Sequence, residues 1–228
     1  MLTLPGDIGG LEMPGDAAEP PVAERPGAIL PAQEVVARAA ELVNAAGSVA
    51  LLVGGARDPL LALADRLAAP MVLTLKGKEG LERENAFQVG QTGLIGNPAA
   101  HAALNGADLL LMIGTDFPYG DWYPDGKTVV QVDARGEHIG RRTHVDAGVV
   151  GDAALTVDAL LERLEPKPDR GHLEAVRETY SGCRLSPLRP RQWVSGAALG
   201  AVWASAAPES MTEDLRRFPA GLEDPFAA

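Results

Sequence analysis

Short apolar runs that do not alternate with polar residues constrain this chain most. Ser48–Val53 (SVALLV), Met71–Leu75 (MVLTL), Leu109–Ile113 (LLLMI), Thr128–Val132 (TVVQV) and Val145–Val150 (VDAGVV) are strand-length and almost wholly apolar. A strand with one wet face would alternate. A strand covered on both faces has no need to, and that is the signature of a parallel sheet between helical layers. Between the runs the spacing turns helical. Pro31 is expected to open a helix at its first-turn position; Val35, Val36, Ala39, Leu42 and Val43 follow at three- and four-residue steps, with Gly47 as a stop. Pro59–Ala69 has the same spacing. Asn97–Asn105 carries Asn97 as N-cap with Pro98 just inside, and Asp152 caps Ala153–Leu164. Strands interleaved with helices predict an α/β fold of three layers around an open parallel sheet, with right-handed crossovers. By spacing alone the unit covers Ser48–Pro166, enough chain to bury a real core.

The flanks differ in kind. Residues 1–31 are rich in Pro, Gly and acid and read as a linker; from about Gly182 no period survives, and Arg184–Arg191 alternates Arg, Pro and Leu. That composition predicts a disordered or weakly helical tail. The formal net charge of −11 repels phosphate backbones and anionic lipid, which argues against nucleic acid as the main partner. Cys183 is the one cysteine, so an internal disulfide and a multi-cysteine metal site are both excluded, as suits a cytoplasmic protein. The first residues have no basic, apolar signal pattern. The longest aliphatic stretch, Leu109–Ile113, is far short of the roughly 20 residues of a membrane span.

In open parallel sheets ligands bind beyond the carboxyl ends of the strands, and the unusual residues of this chain gather there. Gly54-Gly55-Ala56 follows the first apolar run and Lys76-Gly77-Lys78 the second. Thr92-Gly93-Leu94-Ile95-Gly96 precedes the third helix. Gly114-Thr115-Asp116-Phe117-Pro118-Tyr119 follows Leu109–Ile113, and Asp133 ends the next strand. Gly93 and Gly96 permit close backbone approach to a diphosphate, and Asp133 could accept bonds from a ribose diol. Each feature also has a plainer reading. A glycine after a strand serves as a turn, Asp133 as a loop cap, and Lys76 and Lys78 as solvated charges. Phe117, Tyr119, Trp122 and Tyr123 could stack on a flat ring or simply anchor their loop. The chain has no Walker A loop, GxGxxG, GxSxG or HExxH, and its four histidines lack metal-ligand spacing. No nucleophile or acid–base pair emerges. Spacing alone stops at a ligand-binding α/β domain.

Six motifs taken together go further. Leu-Lys-Gly-Lys-Glu (75–79), Val-Gly-Gln-Thr-Gly-Leu-Ile-Gly (89–96), Gly-Thr-Asp-Phe-Pro-Tyr (114–119), Val-Gln-Val-Asp (130–133), His-Ile-Gly-Arg-Arg (138–142) and Val-Val-Gly-Asp (149–152) occur in this order. The set resembles the central domain of thiamine-diphosphate-dependent enzymes, most of all pyruvate oxidase and the quinone-dependent pyruvate dehydrogenase, over about residues 30–180. The resemblance implies a six-stranded parallel sheet that binds FAD, with 1–30 as a linker left from a preceding pyrimidine-binding domain, 31–181 as the central domain and 182–228 as an atypical tail. Thr92, Gly93, Leu94 and Ile95 match the first FAD loop. Gly114, Thr115, Asp116, Phe117 and Pro118 match the second, and Asp133 matches the acidic strand-end residue.

Full-length relatives decarboxylate pyruvate on thiamine diphosphate and pass electrons through FAD to quinone or oxygen. The resemblance places thiamine diphosphate and Mg2+ in two further domains, so the expectation is a fragment inactive by itself, with other domains or subunits of such an enzyme as partners. Two departures bear on this. Gly54–Pro59 is several residues shorter than the family's loop. After Thr179 the likeness stops, as it would if the tail were read in a shifted frame. An acetolactate-synthase-like branch, in which FAD is structural, and a ligand-free interaction module are the alternatives.

Overall fold

Each of the five apolar runs contributes a strand, and a sixth strand joins them. The computed structural model describes residues 27–54 and 57–183. β1 (Val49–Val53), β2 (Met71–Leu73), β3 (Gln88–Gln91), β4 (Leu109–Ile113), β5 (Thr128–Asp133) and β6 (Ala147–Val150) form one sheet in the order β3-β2-β1-β4-β5-β6. Every pairing is parallel. The centre is the pair β1 and β4, in register from Val49↔Leu109 to Val53↔Ile113 and buried at every position.

The lack of alternation in the apolar runs now has its physical cause. Leu51, Val53, Leu109, Leu111, Ile113 and Val130 face one layer, formed by α1 (Gln33–Ala45), α2 (Arg57–Arg66) and α5 (Ala153–Leu161). Ala50, Leu52, Leu110, Met112 and Val129 face the other, formed by α4 (Pro98–Gly106) and α6 (Gly171–Cys183). Successive side chains point to opposite faces of a strand, and here both faces are dry. Fully burying one such leucine is worth about 1.5–3 kcal/mol. A charge in the middle of β1 or β4 would therefore break the fold from either side.

The helix caps behave as the sequence predicts. Asn97 Oδ1 accepts from the Ala100 N–H at 3.0 Å, and Asp152 Oδ1 accepts from Ala154 and Leu155 at 3.0 and 3.3 Å. Other local expectations need correction. Pro31 does not sit in the first turn of α1; Ala32 is the N-cap. Pro31 is instead buried beside Gly151, while the Ile29 carbonyl accepts from the Asp152 N–H at 2.8 Å. The second apolar run is strand only to Leu73. Thr74 then caps α3 (Leu75–Leu81), a helix the spacing does not predict, accepting from Gly77 at 3.3 Å. Gly77 lies so close to the Val53 carbonyl that a side chain would collide with it. The helix is fixed by its cap and backbone packing, because two glycines leave it little propensity of its own.

β3 and α6 were not among the elements read from spacing. α6 packs on α4 and β3, placing Val176 in the core, His172 Nε2 3.1 Å from the Ala103 carbonyl and the Tyr180 hydroxyl 3.1 Å from Gln88 Nε2. Helical structure thus continues to Cys183, beyond Pro166. The expected linker up to residue 26, and the expected tail from residue 184, lie outside the described residues. Among the described residues no helix is long and apolar enough to cross a membrane.

Candidate functional site

The strand order reverses direction between β1 and β4, and a crevice opens beyond their carboxyl ends, the usual ligand position of a doubly wound sheet. Gly54 and Gly114 face each other at its floor. The position of a side chain on Gly54 is already filled by the Gly114 carbonyl, and Gly114 itself has φ +63°. Both positions need glycine: one for space, the other for its left-handed backbone. Around them lies a cleft of about 750 Å³, within the range of small-molecule and cofactor sites.

One wall is formed by the loop after β4 and the segment after β5. Gly114, Thr115, Asp116, Phe117, Pro118 and Asp133 all line the cleft. Asp116 is held on two sides, by Arg141 Nη1 at 3.2 Å and Arg142 Nε at 3.1 Å. Asp133 is buried; its Oδ1 accepts from the Arg135 N–H at 2.9 Å and its Oδ2 lies 3.3 Å from His138 Nδ1. Gln131, only 2% exposed, ties the two segments together. Its amide donates to the carbonyls of Thr115 and His138 at 3.3 and 3.2 Å, and its oxygen accepts from Gly140 at 3.0 Å. Tyr123 donates its hydroxyl to the Phe117 carbonyl at 2.8 Å. Burial, with the charge of Asp116 adding to it, holds that phenol well above its ordinary range, so it stays a donor. The aromatic rings of this loop meet edge to face, Phe117 with Tyr119 at 5.3 Å and with Tyr123 at 5.8 Å. They brace the loop against itself.

The opposite wall comprises Gly54, Thr74, Leu75 and Lys76. Leu75 is 68% exposed and Lys76 is exposed beside it. Lys78 is turned away from the cleft and pairs with Glu82 at 3.3 Å.

The other predicted loop stands next to this cleft without lining it. Thr92–Ile95 belongs to a tight turn in which the Gly96 N–H donates to the Gly93 carbonyl at 2.8 Å and Asn97 N–H to the Gln91 carbonyl at 2.9 Å. Gly93, at φ +88°, abuts the Phe117 ring, leaving no room for a side chain. The turn thus reaches the cleft through Phe117. Thr92 is buried with its hydroxyl unpartnered, while Leu94 and Ile95 project into solvent. Of the residues singled out from the sequence, Gly114–Pro118 and Asp133 share one cleft, whereas Gln131, His138, Arg141 and Arg142 receive no role from it. Gln131 did carry a signal, as the lone amide within the apolar run TVVQV.

The arrangement can accept an extended, partly apolar ligand that carries hydroxyls at one end. The glycine floor allows close backbone approach, Phe117 and Leu75 offer apolar surface, and Asp133 offers acceptor lone pairs. These features fit a flavin dinucleotide. Among the described residues no group of three or more His, Cys, Asp and Glu side chains could hold a metal ion.

Comparison with known proteins is consistent across three kinds of relative. Residues 36–160 match the family model described as the central domain of thiamine pyrophosphate enzymes. An uncharacterized 42.6 kDa protein from the isoamylase 3' region of Pseudomonas amyloderamosa is 42% identical over 83% of this chain and 50% of its own length. A Bacillus subtilis (strain 168) protein named as thiamine pyrophosphate-containing is 38% identical over 74% of this chain and 32% of its own. An acetolactate synthase of Mycobacterium bovis is 31% identical over 71% and 30%. The chain therefore spans half or less of the length of these relatives. Among solved structures, benzoylformate decarboxylase from Polynucleobacter necessarius shares the fold, with a TM-score of 0.53 and 21% identity over 69% of this chain and 32% of that one.

Proposed function

The chain belongs to the family of thiamine pyrophosphate enzyme central domains, and from that premise we propose that it is the FAD-binding form of the domain, part of a pyruvate oxidase-like enzyme. One observation carries the proposal. Gly114–Pro118 and Asp133, assigned to FAD from their motifs, converge on a single cleft at the reversal of strand order. FAD, when bound, supplies electron transfer. The chain positions it: Gly54 and Gly114 let the backbone approach the diphosphate, and Asp133 accepts from the ribose. Leu94 and Ile95, exposed on the neighbouring turn, stand outside the cleft. Thiamine diphosphate and Mg2+ are assigned to other domains or subunits of the full-length enzyme, as the resemblance to that family implies. Residues 31–181 constitute the central domain in this reading, and it works in the cytoplasm.

A second reading is an acetolactate-synthase-like domain in which FAD is retained for structure. The 31% identity to the acetolactate synthase of Mycobacterium bovis favours it.

Titration of the purified chain with FAD, followed by flavin absorbance and fluorescence, tests the proposal. The expected result is saturable uptake of one FAD per chain. No uptake at excess FAD would leave a ligand-free scaffold as the function. Pyruvate, thiamine diphosphate, Mg2+ and an electron acceptor should give no turnover with this polypeptide alone. Once the complementary domains are supplied, reduction of the bound flavin by pyruvate separates the oxidase reading from the acetolactate-synthase one.

A further inference from the structure

A second chamber lies at the outer edge of the sheet, between β3, α3 and α6, and its geometry begins with an irregularity. β3 pairs with β2 as Met71↔Gln88 and Leu73↔Gln91, so two steps along β2 are matched by three along β3. That is a β-bulge. Gly90, at φ +88°, absorbs the extra residue, packed against Asn97 and Tyr180 so closely that a side chain there would collide. In a regular strand, residues three apart face opposite sides. The bulge cancels that difference, and Gln88 and Gln91 line the same chamber.

The chamber measures about 130 Å³, well above the roughly 10–15 Å³ that one water requires. Its polar lining is mixed: Lys78, Gln91 Nε2 and the Tyr180 hydroxyl are donors, and the Glu82 carboxylate, paired with Lys78, is the charged acceptor. Gln88 donates to the Tyr180 hydroxyl at 3.1 Å and accepts from the Gly90 N–H at 3.0 Å. The Tyr180 oxygen is thus already an acceptor, and its own proton remains to be donated. Gln91 Nε2 is buried with no partner. Lys78 stands at the edge in an ion pair with Glu82. A buried amide donor without an acceptor costs about 1–3 kcal/mol, so a native structure normally supplies one.

We propose that this chamber is a binding site for a small oxyanion, a carboxylate or phosphate, held by Gln91 Nε2, the Tyr180 hydroxyl and the Lys78 ammonium. The ligand supplies the acceptor that Gln91 Nε2 lacks, and its size is limited to a few non-hydrogen atoms. The site is separate from the dinucleotide cleft and does not depend on whether FAD binds there. The bulge is the device that builds it, since a regular β3 would turn Gln91 away.

The test is a titration of the full chain with inorganic phosphate and, separately, acetate, followed by the Gln91 side-chain amide and Gly90 backbone resonances in NMR spectra. The expected result is a saturable shift of both signals with at least one anion. Gln91→Glu keeps the shape and replaces the donors with negative charge, so it should weaken binding at least tenfold. Tyr180→Phe should weaken it several-fold. Unchanged resonances elsewhere in the spectrum show that each variant is folded. If Gln91→Glu perturbs the fold, Lys78→Met, at an exposed position, gives the same reading through an expected several-fold loss. No saturable shift with either anion, which would mean a chamber holding water only, overturns the proposal. So does a shift undiminished by all three substitutions.

Discussion

The two walls of the main cleft are built on different principles. The wall after β4 and β5 is a network of side chains. Gln131 bridges Thr115, His138 and Gly140; Asp116 is clamped by Arg141 and Arg142; Asp133 caps its own turn. The wall after β1 and β2 is held by the backbone, with Gly54 N–H donating to the Ile113 carbonyl and Thr74 N–H to the Val53 carbonyl, both at 3.0 Å. Its side chains, Leu75 and Lys76, stand free of that scaffold in solvent. The first wall is organised before any ligand arrives, so it loses little entropy on binding and can discriminate between polar groups. The second contributes closeness and adaptable surface. Specificity should therefore reside in the first wall, and mere access in the second.

Substitutions can break that contrast. The largest effect is expected from Gly54→Val, which drives a side chain into the Gly114 carbonyl. It should cost about 3 kcal/mol of stability in chemical denaturation and abolish FAD uptake. Normal uptake would mean that the floor does not need to be bare. Gln131→Leu comes next. It leaves two carbonyls and one N–H without their partner, and a loss of about 2 kcal/mol is expected. A smaller loss than for an exposed substitution would show that the side-chain network does not hold the wall. Asp133→Ala should weaken FAD binding about tenfold, as removal of a charged hydrogen-bond acceptor does. Asp116→Ala should weaken it only about threefold, because its partners Arg141 and Arg142 are partly solvated. Equal affinities for both variants and the parent would remove these carboxylates from the site. Lys76→Ala should have the smallest effect, about twofold at low ionic strength and none at high salt, with stability unchanged.

The same contrast runs through what could be read from the sequence. β1 and β4 were legible because LLV and LLLMI can only be strands dry on both faces. Asn97 and Asp152 were legible because N-cap chemistry is local. β3 was not: QVGQ is an edge strand, half polar, with a glycine at its bulge, and no periodicity survives the extra residue. α3 was hidden by its two glycines, since its stability comes from Thr74 and from packing on β1 rather than from propensity. α6 did carry a signal, with Leu173, Val176 and Tyr180 at helical steps, but it lay beyond the last apolar run. For the cleft, residues on a strand end were found because the strand places them. Arg141 and Arg142 were quoted within a motif but given no role. Their partner Asp116 is 25 and 26 residues away, and only the fold brings them together.

The short stretch before α1 has a topological consequence. Ile29 is bonded to Asp152, and Asp152 itself borders the cleft. The polypeptide thus enters this unit at the lip of its ligand crevice and not on the far side of the sheet. A pull on Ile29 therefore arrives where the ligand would sit.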